Sequence, residues 1–305
     1  MSRHLVALLG PTASGKTATA VAVARRLPVE VVSADSRQIR SGMSIGTAAP
    51  TDEELAAVPH HLVGIVAPDA PWTLADFLAR TRTALDAIWD RGHIPLLVGG
   101  TGQYVWALLE GLSVPAVTPN PELRARLEAE VAERGPEELH ARLATVDPDS
   151  AVRIDARNVR RMIRALEIVE ATGAPVPPRE HVPPDFTWRA VGLAWPREVL
   201  YARADSRATA MYAGGLVAET SALIERYGRD LEALRTVGYA EAASVVTGEW
   251  DEATALARTQ TETHRLIRMQ ATWFRADDER IEWRDGADLD GTVDAVVAAT
   301  RAPVR

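Results

Sequence analysis

The sequence predicts an α/β fold in which a parallel β-sheet is flanked by helices and carries an inserted helical subdomain. Two observations support this fold. Short apolar runs with β-branched residues alternate with longer amphipathic stretches, which is typical of parallel strands joined by helices. Two proline-dense segments, at 113–121 and 174–185, enclose a stretch rich in Glu, Arg, Ala and Leu. Because proline breaks both helices and strands, we expect these segments to bound a separate helical unit.

Taken in order along the chain, strands are predicted at 4–9, 29–34, 94–98, 188–195 and 280–283. Helices are predicted up to Leu27, at 73–91, at 122–172, and across most of 197–275 with breaks near Gly238 and Gly248. These elements place the sheet in a core formed by residues 1–115 and 186–305. The inserted helical subdomain is expected to comprise residues 116–185.

The composition excludes several classes of protein. The 305 residues contain no cysteine, which excludes disulfides, thiolate metal sites and a cysteine nucleophile. No apolar run approaches the ~18 residues of a membrane span, so we expect a cytoplasmic protein without membrane association. The net charge of −8 argues against a protein coated in nucleic acid but allows a local basic groove. Of the 34 basic residues, only Lys16 is a lysine, which suggests a specific reason for lysine at that position.

A glycine-rich segment between the first strand and the first helix carries the strongest motif. Residues 10–17, GPTASGKT, match the G-x-x-x-x-G-K-[ST] pattern in the strand-to-helix context that a P-loop requires. The amides of such a loop and of the following helix bind phosphate, while Lys16 would add charge and Thr17 would bind Mg²⁺. The motif predicts a P-loop NTPase-like fold and a polyphosphate ligand, without identifying that ligand as ATP. The candidate phosphate-binding residues are Gly10, Pro11, Thr12, Ala13, Ser14, Gly15, Lys16 and Thr17.

Asp35 follows the second predicted strand, where open α/β sheets place their ligands. Three roles remain open for its carboxylate: holding Mg²⁺, acting as a general base, or capping the next turn. A glycine loop, Gly99–Gly102, ends the third strand at the same edge of the sheet. It either allows a ligand to approach the backbone, with Thr101 offering a hydroxyl, or is an ordinary turn.

The inserted region contains a stripe of arginines, whose spacing places most of them on one helix face. Residues 153–164 contain five arginines and one acidic residue, Asp155, so their net charge is +4. This charge favours contact with a phosphate backbone. A solvated face paired with Glu167 and Glu170 is the alternative. The stripe consists of Arg153, Arg157, Arg160, Arg161 and Arg164.

In combination these segments resemble the tRNA dimethylallyltransferases, the P-loop prenyltransferases that modify the adenosine next to the anticodon. The matching segments cover nearly the whole chain. They are GPTASGKT (10–17), DSRQ (35–38), GT (46–47), PHHL (59–62), LVGGTGQY (97–104), DP (147–148), RMIRALE (161–167), LYARADSR (200–207), VGYAE (237–241) and QATWF (270–274).

The resemblance implies transfer of a dimethylallyl group from dimethylallyl diphosphate to the N6 amine of adenosine 37, with release of diphosphate. Asp35 would be the general base, and Thr101 would orient the target nucleotide. The P-loop would hold the diphosphate, with Lys16, Arg203 and Arg207 countering its charge. The cofactor would be Mg²⁺, and we expect a monomer that binds the anticodon stem-loop. The residues implied in tRNA binding are Asp35, Ser36, Arg37, Gln38, Thr101, Arg124, Arg160, Arg161, Met162, Ile163, Arg164, Arg235, Gly238 and Tyr239.

Three other functions are compatible with parts of the sequence. A prenyltransferase acting on a free adenine nucleotide would use the same donor site, but it would not need the inserted subdomain. A P-loop binding protein without catalysis is disfavoured because Lys16, Thr17, Asp35 and Thr101 are all present. An ATP-dependent small-molecule kinase would account for the P-loop but not for the DSRQ and GGTG segments.

Overall fold

The computed structural model describes residues 3–115 and 117–301. Its contacts divide the chain into two compact units. The first unit comprises the residues up to Trp72, Asp76–Gly111 and the residues from Pro183 onwards. The second unit comprises Thr73–Ala75 and Leu112–Val182. Ala116, where we placed the start of the inserted subdomain, lies outside the described residues.

The strands of the described chain are β1 (His4–Leu9), β2 (Val29–Ser33), β3 (His60–His61), β4 (Ile94–Gly99), β5 (Thr187–Ala194) and β6 (Ile281–Asp285). The helices are α1 (Lys16–Ala24), α2 (Ser44–Thr47), α3 (Asp52–Ala57), α4 (Leu74–Asp90), α5 (Gly102–Leu109), α6 (Pro121–Arg134), α7 (Pro136–Val146), α8 (Pro148–Arg153), α9 (Val159–Thr172), α10 (Arg197–Ala213), α11 (Leu216–Tyr227), α12 (Tyr239–Val246), α13 (Glu252–Trp273) and α14 (Leu289–Arg301).

The sheet belongs to the first unit, and its strands run parallel in the order β3-β2-β4-β1-β5-β6. The α/β prediction is confirmed. β1 lies between β4 and β5, and its residues from Leu5 to Leu9 are fully buried. A central parallel strand is covered on both faces, which explains why this segment is apolar at every position rather than at alternate ones. The loops that follow β1, β2 and β4 consequently lie at one edge of the sheet.

A buried carboxylate, Glu30 of β2, lies toward the opposite end of the strand. It forms a bidentate ion pair with Arg91 at 2.8 and 2.7 Å, and it contacts His61 at 2.7 Å and His93 at 2.8 Å. Hydrogen bonding to Arg91 lowers the pKa of Glu30 to about 2, although burial opposes the shift. His61 therefore belongs to strand β3 and to this ion-pair cluster. We found no group of metal-ligating side chains in the described residues.

The second unit is helical, but it is not helical throughout 122–172 as predicted. Proline is the first residue of α6, α7 and α8, and these three helices are therefore separate elements. Their apolar faces and that of α9 form one core, which includes Leu127, Leu143 and Met162. None of the helices within 3–115 and 117–301 is long and apolar enough to span a bilayer.

Candidate functional site

The phosphate-binding loop lies between β1 and α1 and contains two residues in the left-handed backbone region. Gly15 has a φ of 97°, and Ala13 has a φ of 63° despite its side chain. The Nζ of Lys16 donates to the carbonyl oxygens of Gly10 at 2.9 Å and Pro11 at 2.7 Å. The ammonium group of Lys16 is therefore hydrogen-bonded to its own loop, and a bound anion would compete with these carbonyls for it.

Three cations and one carboxylate determine the electrostatics of this loop. Burial lowers the pKa of Lys16 to about 8, while Asp35 raises it and Arg207 lowers it further. Burial likewise lowers the pKa of Arg207, against the influence of Asp35. Arg207 also donates to the hydroxyl of Thr12, and Arg203 donates to the carbonyl of Ala13 at 2.8 Å. The structure thus brings both predicted arginines to the loop.

Asp35 lies in the loop after β2, where one of its oxygens caps the following turn. Its Oδ1 accepts from the amides of Arg37 at 2.8 Å and Gln38 at 3.2 Å. Among the described residues, no hydrogen-bond partner is found for Oδ2. Capping and catalysis are therefore compatible, because the cap uses one oxygen and fixes the direction of the other.

Thr101 lies in the glycine loop after β4 and is bonded directly to the Asp35 loop. Its Oγ1 accepts from the amide of Ser36 at 3.1 Å, and its amide donates to the carbonyl of Ala34 at 3.2 Å. The two loops are held together because β2 and β4 are neighbours in the sheet. Asp35 and Thr101, predicted from separate motifs, are therefore placed in one site.

Gln270, in the last turn of α13, was not identified from the sequence as a site residue. Its Oε1 accepts from the amide of Thr12 at 2.8 Å, and its Nε2 donates to the carbonyl of Gly100 at 3.2 Å. One side chain consequently links the phosphate-binding loop to the glycine loop. The signal available was its position in the QATWF segment, which by itself indicates no contact.

The candidate Mg²⁺ ligands fit the preferences of that ion. Mg²⁺ favours oxygen ligands and is typically held by one or two carboxylates together with substrate phosphates and water. Thr17 supplies a hydroxyl that forms no hydrogen bond with another described residue, and Asp35 supplies a carboxylate. This donor set suits a magnesium ion bound together with a diphosphate.

Four of the residues proposed for tRNA binding are buried, and two of them, Gly238 and Tyr239, lie at the start of α12. Tyr239 is 0% exposed, and its hydroxyl contacts Glu219 at 2.5 Å and the amide of Gly46 at 3.1 Å. Gly238 is also buried, and its amide donates to Glu241. The prediction that Tyr239 and Gly238 present a surface to tRNA is therefore wrong for this structure, since both are packed between helices. Arg235, by contrast, is exposed.

Tyr239 and its partner Glu219 instead hold the backbone of α2, and the residue after α2 contacts the Asp35 loop. Glu219 accepts from the amides of Ile45 at 3.1 Å and Gly46 at 3.4 Å and so caps α2. The carbonyl of Ala48, which follows α2, in turn accepts from the amide group of Gln38 at 2.8 Å. Gln38 is thus held by the protein rather than directed outward, and of its neighbours Arg37 is exposed.

The arginine stripe of the second unit is not one helical face. Arg153 ends α8, and Arg157 lies in the following turn, where it pairs with Asp155 at 2.8 Å. Arg160 and Arg161 of α9 are exposed. The expectation of a continuous stripe is therefore wrong, because the chain leaves the helix between Arg153 and Val159.

Within the same unit, Glu167 holds two further members of the predicted set. This carboxylate is buried and pairs with Arg124 at 2.7 Å and Arg164 at 3.2 Å. Burial raises its pKa, but these arginines and the amide of Asn120 lower it overall. Met162 and Ile163 lie in the helical core, so the prediction that their side chains contact tRNA is wrong.

Comparison with known proteins adds evidence that is independent of this geometry. The IPP transferase family model matches residues 38–277, and an isopentenyl transferase model matches residues 3–61. A tRNA dimethylallyltransferase of Chloroflexus aurantiacus is 51% identical over 274 residues, covering 89% of this chain and 93% of that protein. One from Thermomicrobium roseum is 45% identical over 288 residues, covering 93% and 86%.

Solved structures agree with the family models. The full-length tRNA isopentenylpyrophosphate transferase of Bacillus halodurans is 34% identical, with a TM-score of 0.67 and coverage of 99% of this chain and 100% of that one. A eukaryotic dimethylallyltransferase acting on tRNA, at 22% identity, shares the fold with a TM-score of 0.81 and coverage of 100% and 81%. On these matches the chain belongs to the IPP transferase family.

Proposed function

We propose that the protein transfers a dimethylallyl group from dimethylallyl diphosphate to the N6 amine of adenosine 37 of tRNA, releasing diphosphate. The observation that carries this proposal is the joining of two loops beside the phosphate-binding loop. Asp35 and Thr101 meet there through the hydrogen bond from Ser36 to Thr101, and Gln270 links that site to the P-loop. A carboxylate and a hydroxyl are thereby held next to a site for a leaving diphosphate.

In the proposed reaction, the N6 lone pair attacks C1 of the dimethylallyl group as the C1–O bond breaks. The electron pair of that bond leaves with the diphosphate, and the N6 proton passes to Asp35. The adenine amine is conjugated with the ring and is a poor nucleophile, so a positioned base is useful. Thr101 would orient the nucleotide, which must leave its stack to reach the sheet edge.

The leaving group would be stabilised by the P-loop. Amides of the loop and of the α1 N-terminus bind anionic oxygen, and they act where charge develops on the departing diphosphate. Lys16, Arg203 and Arg207 would add positive charge. Mg²⁺, held by Thr17 together with the diphosphate, would supply further charge neutralisation.

The proposed acceptor is the anticodon loop, whose unpaired bases are the usual targets of sequence-specific RNA recognition. Exposed Arg37, Arg160, Arg161 and Arg235 are available for phosphate contacts. The names of the relatives favour tRNA over a free adenine nucleotide. We propose a monomeric enzyme that acts in the cytoplasm.

The test supplies purified protein with labelled dimethylallyl diphosphate, Mg²⁺ and one of three acceptors. These are an unmodified anticodon stem-loop, the same stem-loop with guanosine at position 37, and AMP. We expect transfer to the first acceptor alone, because guanosine has no N6 amine and AMP lacks the RNA contacts. Labelled AMP with an unlabelled stem-loop would overturn the tRNA proposal.

Asp35→Asn tests the role of the base. Asparagine retains Oδ1, so the cap on Arg37 and Gln38 is preserved, but the amide cannot accept the N6 proton. We expect turnover to fall by roughly 10²- to 10⁴-fold, while binding of dimethylallyl diphosphate in the absence of Mg²⁺ stays within a few-fold. As a matched control, Asp205→Asn removes a carboxylate that pairs with His264 at 2.8 Å on a neighbouring helix. Unchanged turnover of Asp35→Asn would remove Asp35 as the base.

A further inference from the structure

Trp195 contacts the phosphate-binding loop, although no motif includes it. It follows directly after β5, and its Nε1 donates to the carbonyl of Ser14 at 2.9 Å. Because C=O and N–H point in opposite directions across a trans peptide, this hydrogen bond turns the amide of Gly15 away from the indole. The amide of Gly15 forms no hydrogen bond with any described residue. It is therefore free to bind an anion in the loop.

The same indole also supports Arg203. The guanidinium carbon of Arg203 lies 4.6 Å from the centre of the Trp195 ring, in the geometry of a cation–π contact. Its Nε donates to the carbonyl of Ala13. One terminal nitrogen of Arg203 lies 3.6 Å from the position that a Cβ on Gly15 would occupy. The stacked guanidinium is thus held over the residue whose amide faces the anion site.

One side of the indole packs closely against the backbone that follows β6. Gly286, after β6, packs so closely that a Cβ there would lie 1.9 Å from Nε1 of Trp195. The amide of Gly286 donates to the carbonyl of Ala194 at 2.7 Å, which fixes this backbone beside the end of β5. The ring is therefore enclosed by a backbone on one side and contacted by Arg203.

We propose that Trp195 is a positioning residue of the phosphate-binding loop. Together with Arg203 it holds the carbonyls of Ala13 and Ser14, which keeps the strained backbone of Ala13 in place and directs the Gly15 amide and the Arg203 guanidinium toward the diphosphate. The proposal rests on the proposed function for the identity of the diphosphate ester. It assigns to Trp195 an effect on donor binding, and not on the acceptor or on proton transfer.

Two substitutions separate the two contacts of the indole. Trp195→Phe keeps an aromatic face beneath Arg203 and removes the N–H, whereas Trp195→Leu removes both. We expect the KM for dimethylallyl diphosphate to rise roughly fivefold in the phenylalanine variant through loss of one hydrogen bond. A rise of roughly 20-fold or more is expected in the leucine variant through additional loss of the cation–π contact. Because the same groups stabilise the departing diphosphate, kcat should also fall in both variants, whereas the KM for the stem-loop should not change.

Trp250→Leu is the matched control. Arg258 lies over the Trp250 ring at 4.3 Å, so the same kind of stacked pair is broken, but in the helical cluster around Tyr212 and Leu216. That variant should keep the wild-type KM for the donor. Equal KM values for wild type and both Trp195 variants, or an equal increase in Trp250→Leu, would overturn the proposal.

A direct binding measurement separates failure of this proposal from failure of the proposed function. Inorganic diphosphate is titrated into each variant by calorimetry, which requires neither a prenyl group nor an RNA. We expect the Kd to rise in the order wild type, Trp195→Phe, Trp195→Leu. If transfer to tRNA is absent but this order holds, the proposed function fails and the role of Trp195 stands. If transfer occurs but all three proteins bind diphosphate equally, Trp195 has no positioning role. If the leucine variant does not fold, the comparison of wild type with Trp195→Phe still decides this point.

Discussion

The lowered pKa of Lys16 predicts that donor binding takes up a proton. The free protein has a Lys16 pKa of about 8, compared with 10.5 for an ordinary lysine, because burial disfavours the ammonium form. A bound diphosphate favours that form and raises the pKa again. Affinity for dimethylallyl diphosphate should therefore be highest below pH 8 and fall as the pH rises through the pKa of the free protein.

The size of the effect follows from the two pKa values. If the diphosphate restores the ordinary pKa, affinity falls about tenfold between pH 7 and pH 9, and about 70-fold by pH 10. The limiting loss is roughly 300-fold, which corresponds to the full difference between about 8 and 10.5. The phosphate ester does not titrate in this range, because its last proton is lost near a pH of about 6.

The assay is calorimetric titration of dimethylallyl diphosphate from pH 7 to pH 10, with EDTA present so that no metal contributes. At pH 9, buffers of different ionisation enthalpy should report uptake of nearly one proton. Lys16→Arg is the matched variant, because a guanidinium stays charged over the whole range and its affinity should not vary with pH. A flat profile for the wild type, or the same slope in Lys16→Arg, would refute the reasoning.

Two further predictions concern the rest of the molecule. Arg160→Ala should reduce the slope of log K for tRNA binding against log salt concentration by roughly 0.7 to 0.9, because one phosphate contact is lost. Arg164→Ala breaks a pair with buried Glu167, so it should instead lower the melting temperature and leave that slope nearly unchanged. Glu30→Gln should reduce the free energy of unfolding at pH 7 by about 2–3 kcal/mol, given a folded pKa of about 2, a value of 4.5 outside the cluster and partial exposure of Arg91. The Glu30 carboxylate contributes stability above pH 4.5 that is lost as the pH falls toward 2. In urea unfolding, the stabilities of the wild type and Glu30→Gln should therefore converge in acid. Equal stability of the two proteins at pH 7 would contradict the stabilising role of Glu30.

That the P-loop, Asp35 and Thr101 lie in one site could be predicted from the sequence, because their placement follows from local rules. A P-loop pattern between a strand and a helix predicts an anion-binding turn from the local sequence alone. Asp35 and Thr101 each follow a parallel strand, and such strands end at one edge of the sheet. Their proximity required only that β2 and β4 be neighbours, as they are.

The orientation of helical side chains could not be predicted in the same way. Tyr239, Met162 and Ile163 lie within segments that match the family, but burial depends on which helix packs against which face. Arg164 carries the same charge as Arg160, yet Glu167, three residues later, pairs with Arg164 while Arg160 stays exposed. Gln270 was missed because its two partners lie in distant loops, and no local pattern reports such a contact.

The bridge formed by Gln270 also has a consequence for the order in which the protein becomes functional. Gln270 is 258 positions from Thr12 and 170 positions from Gly100, so it is synthesised long after both loops. A nascent chain that ends before α13 contains the phosphate-binding motif, Asp35 and Thr101, but it lacks the side chain that bonds the phosphate-binding loop to the glycine loop. Catalytic competence should therefore appear late in translation, when α13 docks, and not when the N-terminal motifs first fold.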